Sequence, residues 1–534
     1  MELDNNQTPD PTAYSRRRFL KQTGGATTLA AIGTSGTATA VDDNGQFEDD
    51  PFSLGVASGD PLPTSVILWT RLAPNPLQRG GGMPQKKIPV QWKISSTETM
   101  TSVEHVGVAF ANPEHAHSVH VNVTDLEPGT EYYYQFETAG HQSPVGRTKT
   151  APAPDGNPKE FTFAFASCQA WDDGFYTAYD YMATDELDLI IHLGDYIYEY
   201  GIGPNGGARN VSVPPVYRSE TETLDRYRLQ YGLYKSDRNL QAAHASAPWL
   251  VTRDDHEVDN NWAGDVPQDP DKQTREAFLK RRAIAFKAYF EHMPFRMAQM
   301  PDGSSQKLYR NYTFGDLAEF NVLDTRQYRT DQACDDAFSV VGCTERFSED
   351  RTILGDAQEQ WLVNNLETSS AIWDVIANQV PMASMDFEEG PKEGYRMDQW
   401  DGYVADRNTV LEAFEQHARN PVVVTGDFHA NFASNIKRNF QEPDSASVGV
   451  EFVGTSISSG GDGVTMDDFG RQVLSENENV KYYSNQRGYV RCTLTPNQWR
   501  TDYRVVDCVT RKDAPIRTDA SFVINDGTPH LQSR

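Results

Sequence analysis

The hydrophobic pattern changes character once along the chain. Between Phe52 and about Thr150, apolar residues come in short alternating runs separated by turn residues: Val66 to Trp69, Val90 to Ile94, Val106 to Phe110, Val119 to Val123 and Tyr132 to Phe136. A period of two predicts strands with one buried face, so this region reads as an antiparallel β-sandwich. It contains no constellation of catalytic side chains, and its task reads as packing, with substrate positioning as the alternative. A polar stretch, Asp42 to Asp50, precedes it, and the Pro-rich Ala151-Pro152-Ala153-Pro154 follows.

Beyond that linker, strands alternate with helical stretches. Phe161, Phe163 and Phe165 share one face of a strand that stops at Ser167-Cys168-Gln169, and a helical stretch from Tyr176 to Glu186 leads to the continuous apolar run Leu187 to Leu193. Runs without alternation mark strands buried on both faces. The same texture recurs at Trp249 to Thr252, Phe320 to Leu323, Trp373 to Ala377, Val422 to Thr425 and Val450 to Ser456. The pattern predicts an α/β catalytic unit over residues 151–534 behind a sandwich over 41–150. In α/β folds the loops leaving the carboxyl ends of strands converge on the ligand, so the residues there carry the chemistry.

Those strand ends are rich in metal donors. In order they are Cys168; Gly194-Asp195-Tyr196-Ile197-Tyr198; Asp254-Asp255-His256-Glu257-Val258-Asp259-Asn260-Asn261; Asp324-Thr325-Arg326; and Gly426-Asp427-Phe428-His429-Ala430-Asn431. One Asp after a strand is commonly an Asx-turn or a helix cap. Four in succession, joined by imidazole, thiol and phenol groups, supply donors for two or more cations, and a glycine before Asp195 and Asp427 permits a sharp turn at a crowded centre. Carboxylate, phenolate and thiolate together suit trivalent iron, while carboxylate and amide oxygens suit Ca²⁺ or another hard divalent ion. Zinc is the competitor, although neither CxxC nor HExxH spacing is present. Each residue also has a plainer reading. Tyr198 is one aromatic in a run of them, His256 fits a hydrogen-bonded core position, and Arg326 fits a partner of Asp324 or another carboxylate. Asp254, Glu257 and Asp259 fit a supporting or solvated role.

Charge removes one class of function. Of 534 residues, 48 are Lys or Arg and 76 are Asp or Glu, a formal charge of −28, which argues against stable nucleic-acid binding. Only 15 of the 48 cations are Lys. That balance reads as a surface adapted to high salt, with an ordinary acidic exported protein as the alternative. No run approaches the roughly 18 apolar residues of a bilayer span, so no integral membrane segment is expected. Ser15-Arg16-Arg17-Arg18-Phe19-Leu20-Lys21, the apolar Ala26 to Ile32 and Ala38-Thr39-Ala40 read as a twin-arginine signal over residues 1–40. That implies secretion, a mature start near Val41 and the Tat translocase as a transient partner. Five cysteines allow two disulfides, with Cys334 and Cys343, then Cys492 and Cys508, as candidate pairs and Cys168 left over.

Taken in order, the Cys after the first strand, GDYIYEY, DDHEVDNNW, LDTRQYR, GDFHAN, GTSISSGG and NQRGYVRCTLTPNQWRTDYRVV resemble the PhoD family of alkaline phosphatases, within the calcineurin-like and purple acid phosphatase metallophosphoesterases. The similarity runs from about Phe52 to Val506. Leu126 to Tyr134 is similar to the approach to strand F in fibronectin-type sandwiches, where a tyrosine bonds upstream backbone. The family resemblance implies a four-layer sandwich of two mixed β-sheets flanked by helices, behind a fibronectin-like N-terminal sandwich. It implies Asp195 as a bridging ligand, Cys168 and Tyr198 as ligands of Fe³⁺, and Asp255, Asp427 and His429 as further metal ligands, with Asn260 added to them. Substitution of oxygen for nitrogen donors favours Ca²⁺ at the positions not taken by iron. The expected reaction is hydrolysis of small phosphate monoesters, and some diesters, by in-line attack of hydroxide generated by the cations. His256 would steady or protonate the leaving oxygen and Arg326 would clamp the phosphate. Phosphodiesterase or phospholipase D action is the alternative within the family. A non-catalytic ligand-binding sandwich protein is the alternative outside it.

Overall fold

The computed structural model describes residues 47–442 and 444–533. The export signal read over residues 1–40 lies outside them. Two large sheets pack face to face. The first has ten strands, in the order Gln532–Ser533, Ile516–Asn525, Gln498–Val506, Gly488–Leu494, Phe161–Ala166, Leu189–His192, Pro248–Val251, Val56–Leu62, Ser65–Arg71 and Ser118–Val123. The second has seven: Arg310–Phe314, Ala318–Val322, Trp373–Asn378, Pro421–Thr425, Ser447–Val453, Asn431–Lys437 and Val480–Ser484. Both mix parallel and antiparallel pairs.

Burial on both faces explains the continuous apolar runs. Val422 and Val424 enter the core between the sheets, where they join Phe161, Phe163, Phe165, Phe320 and Phe452, while Val423 enters the outer core. Helices Asp356–Thr368 and Val404–Gln416 cover that outer face. On the far side of the first sheet, Ala164, Ile190 and Trp249 pack against helices Thr177–Met182, Leu224–Lys235, Arg238–Ser246 and Arg275–His292. The result is the four-layer α/β arrangement that the sequence led us to expect. The first helix is shorter than the stretch from Tyr176 to Glu186 that its pattern predicts. No helix among the described residues is long and apolar enough to cross a membrane.

The N-terminal sandwich is joined to the rest more intimately than alternation reveals. One of its sheets stands alone, with Val103–Ala111, Ile88–Ser95 and Glu131–Thr138 side by side. The facing strands are the end of the ten-stranded sheet, because Val56–Leu62 pairs in parallel with Pro248–Val251 through Ser58↔Pro248 and Gly59↔Trp249. A Cβ on Gly59 would lie 2.7 Å from the Trp249 carbonyl oxygen, so this close approach requires glycine. Asp60, next in the chain, pairs with buried Arg310 at 3.0 Å. Alternation shows which face of a strand is buried, not which strand lies beside it. The tyrosine corner is Tyr132, whose hydroxyl accepts the Glu127 N–H at 3.0 Å.

Of the two candidate disulfides, one forms. Cys334 and Cys343 are bridged, with Cα atoms 6.1 Å apart. Cys492 and Cys508 are both free thiols, which corrects the second pairing. Cys492 lies opposite Thr501 in its hairpin, and Cys508 falls beyond the end of the second strand. In that register the two cysteines are about 20 Å apart along the strands, several times the reach of a disulfide.

Candidate metal centre

Every predicted donor but one converges at the carboxyl ends of the central strands, and the backbone there is bent to achieve it. Cys168, Asp195, Asp427 and His429 adopt left-handed conformations with φ of 58°, 57°, 61° and 58°. Such residues cost about 1–3 kcal/mol each and persist only where the surroundings over-determine them. Cys168, Asp195 and His429 bring their donor atoms together there, and Asp427 joins Asp254 and Asp255 beside them. Gly194 takes φ 108°, and a Cβ there would sit 2.3 Å from the Asp254 Cβ. At Gly426 a Cβ would sit 2.7 Å from Ser167 Oγ. Both glycines therefore allow neighbouring loops to touch.

Three groups of potential ligand atoms result, each with its atoms within 4.8 Å of one another: Cys168, Asp195 and His429; Asp195, Asp255 and His256; Asp254, Asp255 and Asp427. Asp195 and Asp255 are each shared by two groups. The Tyr198 hydroxyl extends the first group, donating to Asp195 Oδ2 at 2.9 Å and lying 3.0 Å from His429 Nε2. Asn260 touches the cluster through its backbone, which donates to Glu199 Oε1 at 3.1 Å. A ligand role for its amide rests on the resemblance alone.

The electrostatics call for positive charge. Asp195 Oδ1, Asp254 Oδ2, Asp255 Oδ1 and Asp427 Oδ2 are buried carboxylate oxygens without a hydrogen-bond partner among the described residues. Burial pushes Asp195, Asp254 and Asp427 above the ordinary carboxylate range, reinforced by the acids beside them. Asp255 is equally buried, but Arg326 and His256 hold it down, to about 2. Burial and the Asp195 charge push the Cys168 thiol and the Tyr198 phenol well above their usual values. A thiol, a phenol and four acids can all ionise in one buried volume only if cations sit among them. The residues present therefore fit bound metal.

A second layer holds these groups, and most of it was not assigned from sequence. Glu257, left open between supporting and solvated roles, is wholly buried. Its carboxylate accepts the N–H groups of Asp195 at 3.2 Å, Tyr196 at 2.6 Å and Asp254 at 2.8 Å, clasping two donor-bearing loops. Glu199 accepts from His256 Nδ1 at 2.7 Å, leaving Nε2 on the other side of the ring. Ser459, in the GTSISSGG stretch, donates to the Tyr198 hydroxyl at 2.8 Å. Arg487 donates to the His429 carbonyl. The Asp254 carboxylate serves as a candidate ligand and as an ion-pair partner at once.

Arg326 is placed differently from the substrate clamp that the sequence led us to expect. It has no exposed surface. Its Nε bonds Asp254 and its Nη1 bonds both oxygens of Asp398, at 2.9 and 3.0 Å. Only Nη2 is left, 3.6 Å from Asp255 and 3.7 Å from Asp427. The side chain braces the acids and does not reach for a ligand. Asp398, held well below the ordinary range because Arg326, Arg329 and Arg396 together overcome its burial, is the hub of this brace. It sits in a polar run with no apolar strand before it, so no sequence signal marked it.

Comparison with known proteins places the chain in a family. A family model described as PhoD-like phosphatase matches residues 163–503, and one described as PhoD-like phosphatase, N-terminal domain, matches residues 36–152. Alkaline phosphatase D of Bacillus subtilis (strain 168) is 48% identical over 515 residues, covering 96% of this chain and 87% of that protein. The solved structure of PhoD superposes with a TM-score of 0.87 at 49% identity, covering 91% of this chain and 93% of the other. With the matching model spanning more than half of its length, the chain belongs to the PhoD-like phosphatase family.

Proposed function

We propose that this phosphoric ester hydrolase cleaves phosphomonoesters, and some diesters, at the cluster running from Cys168 to His429. The observation that carries the reading is the sharing of Asp195 and Asp255 between three donor groups whose carboxylates keep buried oxygens without hydrogen bonds. Cys168, Asp195, Tyr198 and His429 would hold ferric iron, and Asp195, Asp254, Asp255 and Asp427, with Asn260, would hold Ca²⁺ or another hard divalent ion. Bound there, the cations supply an activated water and neutralise charge on the phosphoryl group.

The chain's own residues do the rest. His256 is the proton donor to the leaving oxygen: burial lowers its pKa, but Glu199 first, then Asp255 and Asp195, outweigh that and raise it above the ordinary imidazole range, while Glu199 fixes the ring's orientation. Arg326 keeps Asp254 and Asp398 in register. Residues 41–150 would act as the sandwich and 151–534 as the catalytic unit, and the pairing of Ser58 with Pro248 and Gly59 with Trp249 supports their acting together. Export by the twin-arginine route and a surface that keeps its stability in high salt complete the proposal. They are tested by signal-dependent secretion and by melting temperature against salt.

The test of the activity pairs nitrophenyl phosphate with bis-nitrophenyl phosphate on one sample, with elemental analysis of the same sample. The proposal expects monoester release, a smaller diester rate, and both iron and calcium. Diester release alone would move the assignment to a phosphodiesterase, and a sample active without metal would overturn it.

A further inference from the structure

Below the cluster lies a buried amine that phosphoester chemistry does not use. Lys235 ends helix Leu224–Lys235 with its side chain turned inward, 1% exposed. Its Nζ stands 4.4 Å from the centroid of the Trp69 ring and 5.2 Å from that of Tyr196, and 3.3 Å from His244 Nε2. Burial drives its basicity down, with no carboxylate opposing. An amine so placed is desolvated where an apolar side chain of the same length would not be, so packing alone does not explain it.

The contacts lead in one direction. Trp69 comes from the N-terminal sandwich strand Ser65–Arg71. His244 Nε2 stands between the Lys235 amine, 3.3 Å away, and the Tyr196 hydroxyl, 2.8 Å away, so the imidazole links the two. The His244 ring is fixed by stacking on Trp249 at 3.8 Å. Tyr196 follows Asp195 directly. Its N–H is held by Glu257 at 2.6 Å, and its carbonyl accepts Gln169 Nε2 at 2.8 Å. The Gln169 N–H in turn donates to the Asp195 carbonyl at 3.0 Å. A rotation of the Tyr196 ring would thus pull on Asp195 and on the neighbour of Cys168 together.

We propose that Lys235 is a positioning residue for the reaction, boxed by Trp69 of the sandwich and acting through His244 and Tyr196 to hold the left-handed Asp195 turn on which the metal groups depend. The inference rests on Asp195 being a metal ligand. It assigns the sandwich a task besides packing, as one wall of the box.

The test uses the full chain with Lys235→Met, Tyr196→Phe, the double variant, and Asp195→Asn as control. Lys235→Met fills the same volume without the amine, so its melting temperature should equal or exceed that of the parent. Its kcat should nonetheless fall about tenfold or more with KM within about twofold, and its metal content per chain should drop. Tyr196→Phe should show the same split, and the double variant should be no worse than Tyr196→Phe alone, because both lie on one path. Parental kcat and metal content in Lys235→Met, or losses that multiply in the double variant, would overturn the inference. If Lys235→Met does not fold, Tyr196→Phe decides alone, and parental turnover with full metal in it would be fatal. Should Asp195→Asn keep its metal, the ligand assignment fails instead. Loss of metal there beside an unaffected Lys235→Met sinks this inference only.

Discussion

Glu257→Gln isolates the scaffold from the ligands, since Glu257 belongs to none of the three ligand groups. Its carboxylate accepts three backbone N–H groups, at 3.2, 2.6 and 2.8 Å, from the Asp195 and Asp254 loops. Glutamine has one oxygen. Whichever way the amide turns, its NH₂ faces at least one of those buried N–H groups, donor against donor. An unsatisfied buried donor costs about 1–3 kcal/mol, and losing the charge from the remaining bonds adds about 1 kcal/mol. The total is about 2–4 kcal/mol, concentrated on two turns that Gly194 already holds in contact. Displacing reacting groups by an ångström costs about a hundredfold in rate, so turnover of nitrophenyl phosphate should fall by that order with metal partly lost. Thermal melts and elemental analysis of the same preparation give the two other readouts. A Glu257→Gln protein with parental melting temperature, metal and turnover would refute the view that this carboxylate clasps the centre.

Three further outcomes follow from other parts of the molecule. Cys508 is half-buried whereas Cys168 and Cys492 are fully buried, and burial pushes the Cys492 thiol far up. A thiol reagent should therefore modify one cysteine of the native protein and three after unfolding without reductant, and a single reactive thiol after unfolding would restore the Cys492–Cys508 bridge. Asp462 anchors the loop that carries Ser459 by accepting the N–H groups of Val509 and Thr510 and the Thr510 hydroxyl. Burial opposes it, but the Thr510 hydroxyl and these backbone donors hold its pKa below the usual 3.8. A depressed carboxylate stabilises above its unfolded pKa and loses that contribution as pH falls through the folded value. Asp462 is exposed, so Asp462→Asn should cost less than about 1 kcal/mol in denaturant melts at pH 7, and the gap should narrow as pH falls through the folded pKa; a gap that does not change with pH across the acid range would exclude the charge as its cause. Chelation should lower the melting temperature as well as the activity, since it returns Asp195, Asp254 and Asp427 to mutual repulsion, and an unchanged melt would count against a metal-neutralised cluster.

The strands and the donors at their ends were legible in the sequence for the same reason. A strand buried on both faces cannot alternate, so Leu189–His192 and Pro421–Thr425 announce themselves, and the polar residue that ends each run stands out against it. What holds those donors was far less visible. Glu257 is one acid among several in its segment, and only the fold turns it towards three N–H groups. Asp398 and Ser459 come from loops without periodicity, and no local pattern says that a loop will arrive at a centre built elsewhere. Arg326 was read as a phosphate clamp, because sequence shows a guanidinium and not the two aspartates that immobilise it. Cys492 lies inside a hairpin strand, opposite Thr501, and Cys508 past the hairpin's end, so register, which sequence does not print, sets them far apart.

The central claim is that Asp195 stands between two cation sites that do the chemistry. Elemental analysis of Asp195→Asn beside the parent, with turnover of nitrophenyl phosphate measured on the same two samples, tests it most directly. The account predicts that metal and activity are lost together while the protein stays folded. Full metal content with parental turnover in that variant would contradict it.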